Sequence, residues 1–274
     1  TLRRQPPVCS RPKQLPRATL HGRDAGQGRY SRPYPEYELM RRRSFVKACA
    51  LGAGYAALNP SVILAGELRA RHYERVRLVD NRGAPLRPGA VRPRRNYVFQ
   101  YPYPSTPVFL LNLGLPVNGH NGLITEGGDR YSWSGGVGPG RSLVAFSAIC
   151  AHKLAHPTPS VSYISFRNPR NDEDPSTGVI SCCAENSTYD PVRGGEVISG
   201  PAGQPLAAVL LDYVEDEDAL YATGTLGGEL FQRFFDDFEA RFSLEYPDGD
   251  ADAQVAGEAT VVPLENYSRN LMRC

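Results

Sequence analysis

The sequence predicts a mainly β protein: a small antiparallel β domain, preceded by an N-terminal signal or anchor helix and followed by a C-terminal amphipathic helix. Three observations carry that expectation. Short aromatic and β-branched runs recur between Val76 and Gly224, each closed by Gly, Pro or Asn, which is the rhythm of short strands joined by turns. Hydrophobic content of 41% with 22% charged residues is that of an ordinary globule. The apolar spacing switches to a helical period only near the end, between Gly228 and Tyr246.

Residues 1–39 are rich in Pro, Arg, Gly and Tyr without periodicity, so they read as a disordered basic extension upstream of the folded protein. From Met40 the text changes. Arg42-Arg43-Ser44-Phe45-Val46-Lys47 precedes the mostly apolar Ala48 to Ala65, which fits a twin-arginine export signal at 40–66. Ile63-Leu64-Ala65 is a poor small-x-small cleavage site, so the apolar run reads as a possible N-terminal membrane anchor. That places the remainder on the periplasmic side of a bacterial inner membrane.

Strands are expected at Val76 to Val79, Tyr97 to Tyr101, Val108 to Asn112, Leu143 to Phe146, Tyr163 to Phe166, Val179 to Ser181, Val197 to Ser199, Ala207 to Tyr213 and Leu220 to Gly224. Together they define a β domain over 76–225. Asn168 to Pro175 reads as a solvated acidic turn. In 226–246, Phe231, Phe234, Phe235, Phe238 and Phe242 line one face of a helix. Five such side chains are worth roughly 1.5–3 kcal/mol each when buried, so this helix must pack on the β domain or in a partner's groove. The tail 247–274 is expected to be mobile as far as Thr260, after which Val261, Val262 and Leu264 suit an edge strand.

The chemistry concentrates in 147–206. One loop reads Cys150-Ala151-His152-Lys153-Leu154-Ala155-His156, and a second reads Cys182-Cys183-Ala184-Glu185-Asn186-Ser187-Thr188-Tyr189-Asp190. A Cys-x-His spacing aims a thiolate and an imidazole to one side of a tight loop, as an iron–sulfur or zinc site requires. These loops, Ser187-x-Tyr189-Asp190, and Gly200-Pro201-Ala202-Gly203 downstream resemble the Rieske family, with the likeness covering roughly 95–225. The resemblance implies a β-sandwich carrying a small cluster-binding subdomain and a 2Fe-2S cluster held by two cysteines and two histidines. Carried over residue by residue, it makes Cys150, His152 and Cys182 metal ligands and puts Glu185 where the second histidine belongs. Ser187 and Tyr189 would hydrogen-bond the sulfurs, and Gly200 and Pro201 would cover the cluster. Ala155 and Ala184 stand where quinol-oxidising members have a disulfide between the loops.

Other readings of these residues stay open. His156 is a substitute ligand or an ordinary surface histidine, and Cys183 with Asn186 is a second register. A mononuclear metal on Cys150, His152, Cys182 and Glu185 is a further arrangement, and a Rieske-type fold without its cluster is another. Six cysteines are too few for a disulfide scaffold, and Cys9, Cys49 and Cys274 are assigned no role.

The net charge of +2 says nothing about nucleic acid, but no Lys/Arg stripe interleaved with aromatics lies beside the motifs, so nucleic-acid binding is set aside. No Gly-x-Ser-x-Gly or His-Glu-x-x-His motif supports hydrolysis, and no second iron site supports an oxygenase. The expected function is therefore electron transfer by a membrane-anchored, periplasm-facing subunit of a redox complex. Its donor would lie on a quinol or molybdenum-enzyme side, and its acceptor would be a c-type cytochrome. The alternative is a cluster-free structural subunit of such a complex.

Overall fold

The computed structural model describes residues 67–168 and 178–274. The basic extension, the export signal and most of the acidic turn lie outside the described residues. The first strands are β1 (Arg71–Val79), β2 (Tyr97–Gln100), β3 (Pro107–Asn112), β4 (His120–Ile124), β5 (Arg130–Trp133) and β6 (Leu143–Ser147). The middle of the chain contributes β7 (Val161–Ser162), β8 (Ile164–Arg167), β9 (Val179–Cys182), β10 (Ser187–Asp190) and β11 (Glu196–Ser199). After β12 (Ala208–Val214) and β13 (Ala219–Leu226) come helix α1 (Phe231–Glu245), β14 (Glu258–Thr260), β15 (Val262–Pro263), the single turn α2 (Leu264–Tyr267) and β16 (Asn270–Leu271).

An eight-stranded sheet runs in the order β14-β1-β13-β12-β6-β3-β2-β15, antiparallel except where β14 lies parallel to β1. Its central strands read as unbroken apolar runs because both faces are covered. Successive residues of β3 and β6 therefore divide between two cores. Phe109, Leu111, Val144 and Phe146 face one, and Val108, Leu110, Leu143 and Ala145 face the other. The first core continues through Ile164, Ile180 and Tyr189 into a four-stranded antiparallel sheet, β11-β10-β9-β8. Both cysteine loops spring from strands rooted in that core: Cys150 follows β6, and Cys182 ends β9.

The mainly β expectation is met, and the helix lies where the phenylalanine spacing put it. Phe231, Phe234 and Phe242 are buried against Ile149 and Leu154 of the first loop, with Phe235 and Phe238 partly covered, so the helix covers that loop rather than standing free. The C-terminal stretch, expected to add one edge strand, adds three. β14 pairs with β1, β15 with β2, and β16 with the two-residue β7. Among the described residues no helix is long and apolar enough to cross a membrane.

Candidate metal centre

The first loop is a tight turn closed on itself. Cys150 N donates to Ala155 O at 2.9 Å and Leu154 N to Cys150 O at 3.0 Å. The closure needs Leu154 in the left-handed region, φ +56°. For a bulky residue this costs on the order of 1–2 kcal/mol, and Leu154 holds it because it is buried among the α1 phenylalanines. The second loop is the turn between β9 and β10, whose ladder pairs Cys182 with Ser187. Asn186 takes its left-handed position, φ +59°, which an amide side chain tolerates well.

The two turns bring Cys150 and Cys182 together as free, fully buried thiols. The neighbouring Cys182, then Tyr189 Oη and the backbone N–H groups of His152 and Lys153, hold the Cys150 thiol below the ordinary thiol range against the opposing effect of burial. The neighbouring Cys150, followed by burial, pushes Cys182 up, while the amides of Ala184 and Glu185 act in the opposite sense. The two thiols are thus shifted in opposite directions, and amides of each loop act on that loop's own sulfur. Tyr189 lies beneath them. Its hydroxyl is 3.3 Å from Cys150 Sγ and accepts from Ala151 N at 3.1 Å; burial, then the adjacent thiolate, raises its own pKa.

In these two loops Ser187 Oγ and His152 Nδ1 are buried without a partner, as is Tyr131 Oη elsewhere among the described residues. His152 is only partly covered, and its carbonyl accepts from Arg233 Nη2 on α1 at 3.2 Å. Gly200 lies directly against the second loop, where a Cβ would meet Ser187 Cα at 2.5 Å and Asn186 O at 2.6 Å, and its φ is +92°. Only glycine fits there. Pro201 is exposed beyond it.

A cluster with two cysteines on one iron fits this geometry on its sulfur side. Metal–thiolate bonds of about 2.3 Å require two sulfurs close to each other, and both thiols here are free, buried and near enough to shift each other in opposite directions. The facing amides suit thiolates, and the two orphaned polar atoms lie on the same two loops. The other side is less assembled. Glu185 is exposed on its turn, and among the described residues no three His, Cys, Asp or Glu side chains converge.

Three sequence readings are corrected here. His156 is not on the surface. It is 7% exposed, edge-on to the rings of Phe234 and Phe238 at 4.8 and 4.9 Å. Its Nδ1 donates to Leu154 O at 2.7 Å and its Nε2 accepts from Arg241 at 3.0 Å. Both ring nitrogens are therefore engaged within the protein. Cys183 does not take the place of Cys182, because it points out of the site. Cys274 does have a role, since it forms a disulfide with Cys183. The pairing had no local sequence signal, since the two cysteines lie 91 residues apart. Asp190 was read only as part of the motif; its carboxylate accepts from Val192 N at 2.9 Å and caps the turn leading to β11.

No protein-family model matches the chain. The iodate reductase subunit IdrB of Denitromonas iodatirespirans is 28% identical to it over 196 residues, which is 70% of this chain and 84% of that protein. The soluble domain of Rieske protein II (soxF) from Sulfolobus acidocaldarius aligns with 48% of this chain and 68% of its own length at 28% identity and a TM-score of 0.37. The motif-bearing loops, with their buried cysteines and the tyrosine beneath them, resemble those of the Rieske family, and the chain as a whole is similar in sequence to IdrB.

Proposed function

We propose that the chain is a Rieske-type electron-transfer subunit of a multi-subunit oxidoreductase, with Cys150 and Cys182 holding one iron and His152 serving the other. The observation that carries this reading is the buried thiol pair facing four backbone amides, with Tyr189 below. A bound 2Fe-2S cluster supplies a one-electron couple and needs no substrate pocket. The residues of the chain supply its surroundings. The amides of His152, Lys153, Ala184 and Glu185 and the hydroxyl of Tyr189 stabilise negative charge on the sulfurs, which favours the reduced state. The core behind Cys150 and Cys182 excludes water from them, while the partly covered His152 and the exposed turn at Glu185 leave one edge of the site open to a partner.

The curated relative is a subunit of an iodate reductase, which supports partner redox subunits for this chain as well. A molybdenum-enzyme or quinol-side donor and a c-type cytochrome acceptor remain the partners we propose. Glu185 or water would complete the second iron's ligands. A carboxylate there adds negative charge and favours the oxidised form, so the potential would lie below that of a two-histidine centre. Protein purified anaerobically from its native membrane is expected to be brown and to give a rhombic EPR signal after dithionite reduction. Glu185→His should raise the measured potential, and no change would remove residue 185 from the ligand set. The exposed position of Glu185 favours a second reading, a cluster-free structural subunit; a folded, colourless and iron-free preparation would establish that reading instead.

We also propose export by the twin-arginine route to the periplasmic side of the membrane, with residues 40–66 as signal or anchor. The disulfide supports an oxidising compartment. Arg42→Lys with Arg43→Lys should leave the protein in the cytoplasmic fraction, and undiminished export would sink the proposal.

A further inference from the structure

The loop-to-loop disulfide that Ala155 and Ala184 rule out has a topological substitute elsewhere. After α2 the chain runs as a strap alongside Thr158–Ser162, the segment that directly continues the first loop. Ser268 Oγ donates to Thr158 O at 2.6 Å. Arg269 N and Asn270 N reach Pro159 O and Ser160 O at 3.1 and 3.2 Å, and Met272 N reaches Ser162 O at 2.9 Å. The strap then ends covalently on the second loop through Cys183–Cys274. Arg167, on the strand next to β9, closes the junction by donating to Cys274 O at 2.6 Å, Met272 O at 3.3 Å and Cys183 Sγ at 2.6 Å. Cys183 N is also tied to Tyr163 O at 2.7 Å. One end of the strap is therefore stitched to the continuation of the first loop, and the other is bonded to the residue adjoining Cys182.

We propose that the strap Ser268–Cys274, locked by the Cys183–Cys274 disulfide, braces the two cysteine loops against each other. Cys183, Cys274 and Arg167 are then positioning residues for Cys182. The brace acts from outside the site. It fixes the start of the turn whose amides at Ala184 and Glu185 face the Cys182 sulfur, and it leaves the gap between positions 155 and 184 unbridged. Its bearing on metal binding rests on the function proposed above; the brace itself is a property of the metal-free chain and is tested there.

The test compares the full-length chain with the Cys183→Ser/Cys274→Ser double variant and with Arg167→Ala, which keeps the disulfide. Without metal, amide exchange over Ser181–Ser187 and alkylation of Cys182 by N-ethylmaleimide, located by mass spectrometry, should both rise at least about tenfold in the double variant, with exchange in β12 and β13 unchanged. Arg167→Ala should show a smaller rise in the same peptides. If the double variant fails to fold, the wild-type protein treated with a phosphine gives the same reading: the S–S bond opens to two thiols as the phosphine becomes its oxide with oxygen from water. After anaerobic loading with iron and sulfide, the double variant should lose iron to a chelator faster and give a shifted reduced EPR spectrum. Fraying confined to 268–274, with Ser181–Ser187 exchange and Cys182 labelling unchanged, overturns the brace. A wild-type chain that takes up no iron while the metal-free result stands overturns the electron-transfer reading and leaves the brace intact.

Discussion

At the scale of single residues, the site combines one deliberate electrostatic arrangement with one concealed liability. The neighbouring Cys182, then Tyr189 and two amides of its own loop, hold the Cys150 thiol below the ordinary thiol range in spite of its burial, and an uncompensated buried charge there would be far more costly. His156 is the liability. It is buried and neutral, and burial, with the neighbouring Arg241 adding to it, lowers its pKa from 6.5 to about 4, against the opposing effects of Leu154 O and Glu245. The unfolded chain takes up a proton near pH 6.5 that the folded chain refuses until about pH 4, so stability is complete above the higher value and falls as the pH drops toward the lower one. A shift of this size corresponds to about 3 kcal/mol at the acid end. Thermal melts between pH 7.5 and 4 should show a loss of that order, and His156→Gln should remove most of its pH dependence. A His156→Gln profile parallel to wild type would mean that carboxylates, not this imidazole, control acid stability.

At the scale of elements, α1 and the first loop form one unit. Phe234 is fully buried, with ring centroids 4.8 Å from His156 and 5.2 Å from both Phe238 and Phe242, and the same cluster holds Leu154 in its left-handed conformation. Phe234→Ala should cost about 3–5 kcal/mol through lost transfer energy and the cavity left behind. Because the strained turn loses its support, amide exchange at Cys150–Ala155 should accelerate more than exchange in the eight-stranded sheet; equal acceleration in both would mean that the helix stabilises only globally. The helix itself was legible because five phenylalanines repeat at helical spacing, and the central strands because apolar runs end in turn residues. The destination of the helix was not legible. Spacing reports which face is buried, whereas its cover, Ile149 and Leu154, lies about eighty residues away in a loop read for its chemistry. The hairpins β4–β5 and β12–β13 show the same division. Ala207 to Tyr213 has strand composition, and β12 falls there. His120 to Ile124 carries Asn and Gly and pairs with β5 only through a bulged register, so local pattern alone did not reveal it.

At the scale of the whole molecule, the C-terminal residues complete sheets begun about 110 to 190 positions earlier. β14 lies on β1, β15 on β2 and β16 on β7, and none of these pairings has a local sequence signal, because each depends on the edge that the rest of the fold leaves open. Such distant contacts are entropically expensive to close. The Cys183–Cys274 bond, spanning 91 residues, offsets that cost by restricting the unfolded chain. In the chain-entropy account a loop of this length is worth about 4–5 kcal/mol, which for a domain of this size corresponds to a melting point roughly 10–15 °C higher. Adding a phosphine reductant should therefore lower the wild-type melting temperature by about that amount, while the Cys183→Ser/Cys274→Ser variant should already melt at the lower temperature and be insensitive to reductant. If both proteins respond equally to reductant, the response does not come from the C-terminal bond, which then contributes little, nor from opening a bond at Cys150 and Cys182, which are free thiols. If neither responds, the return of the C-terminal segment is held by its strand pairings and the strap hydrogen bonds alone, and the oxidising compartment inferred from the disulfide would lose its thermodynamic rationale.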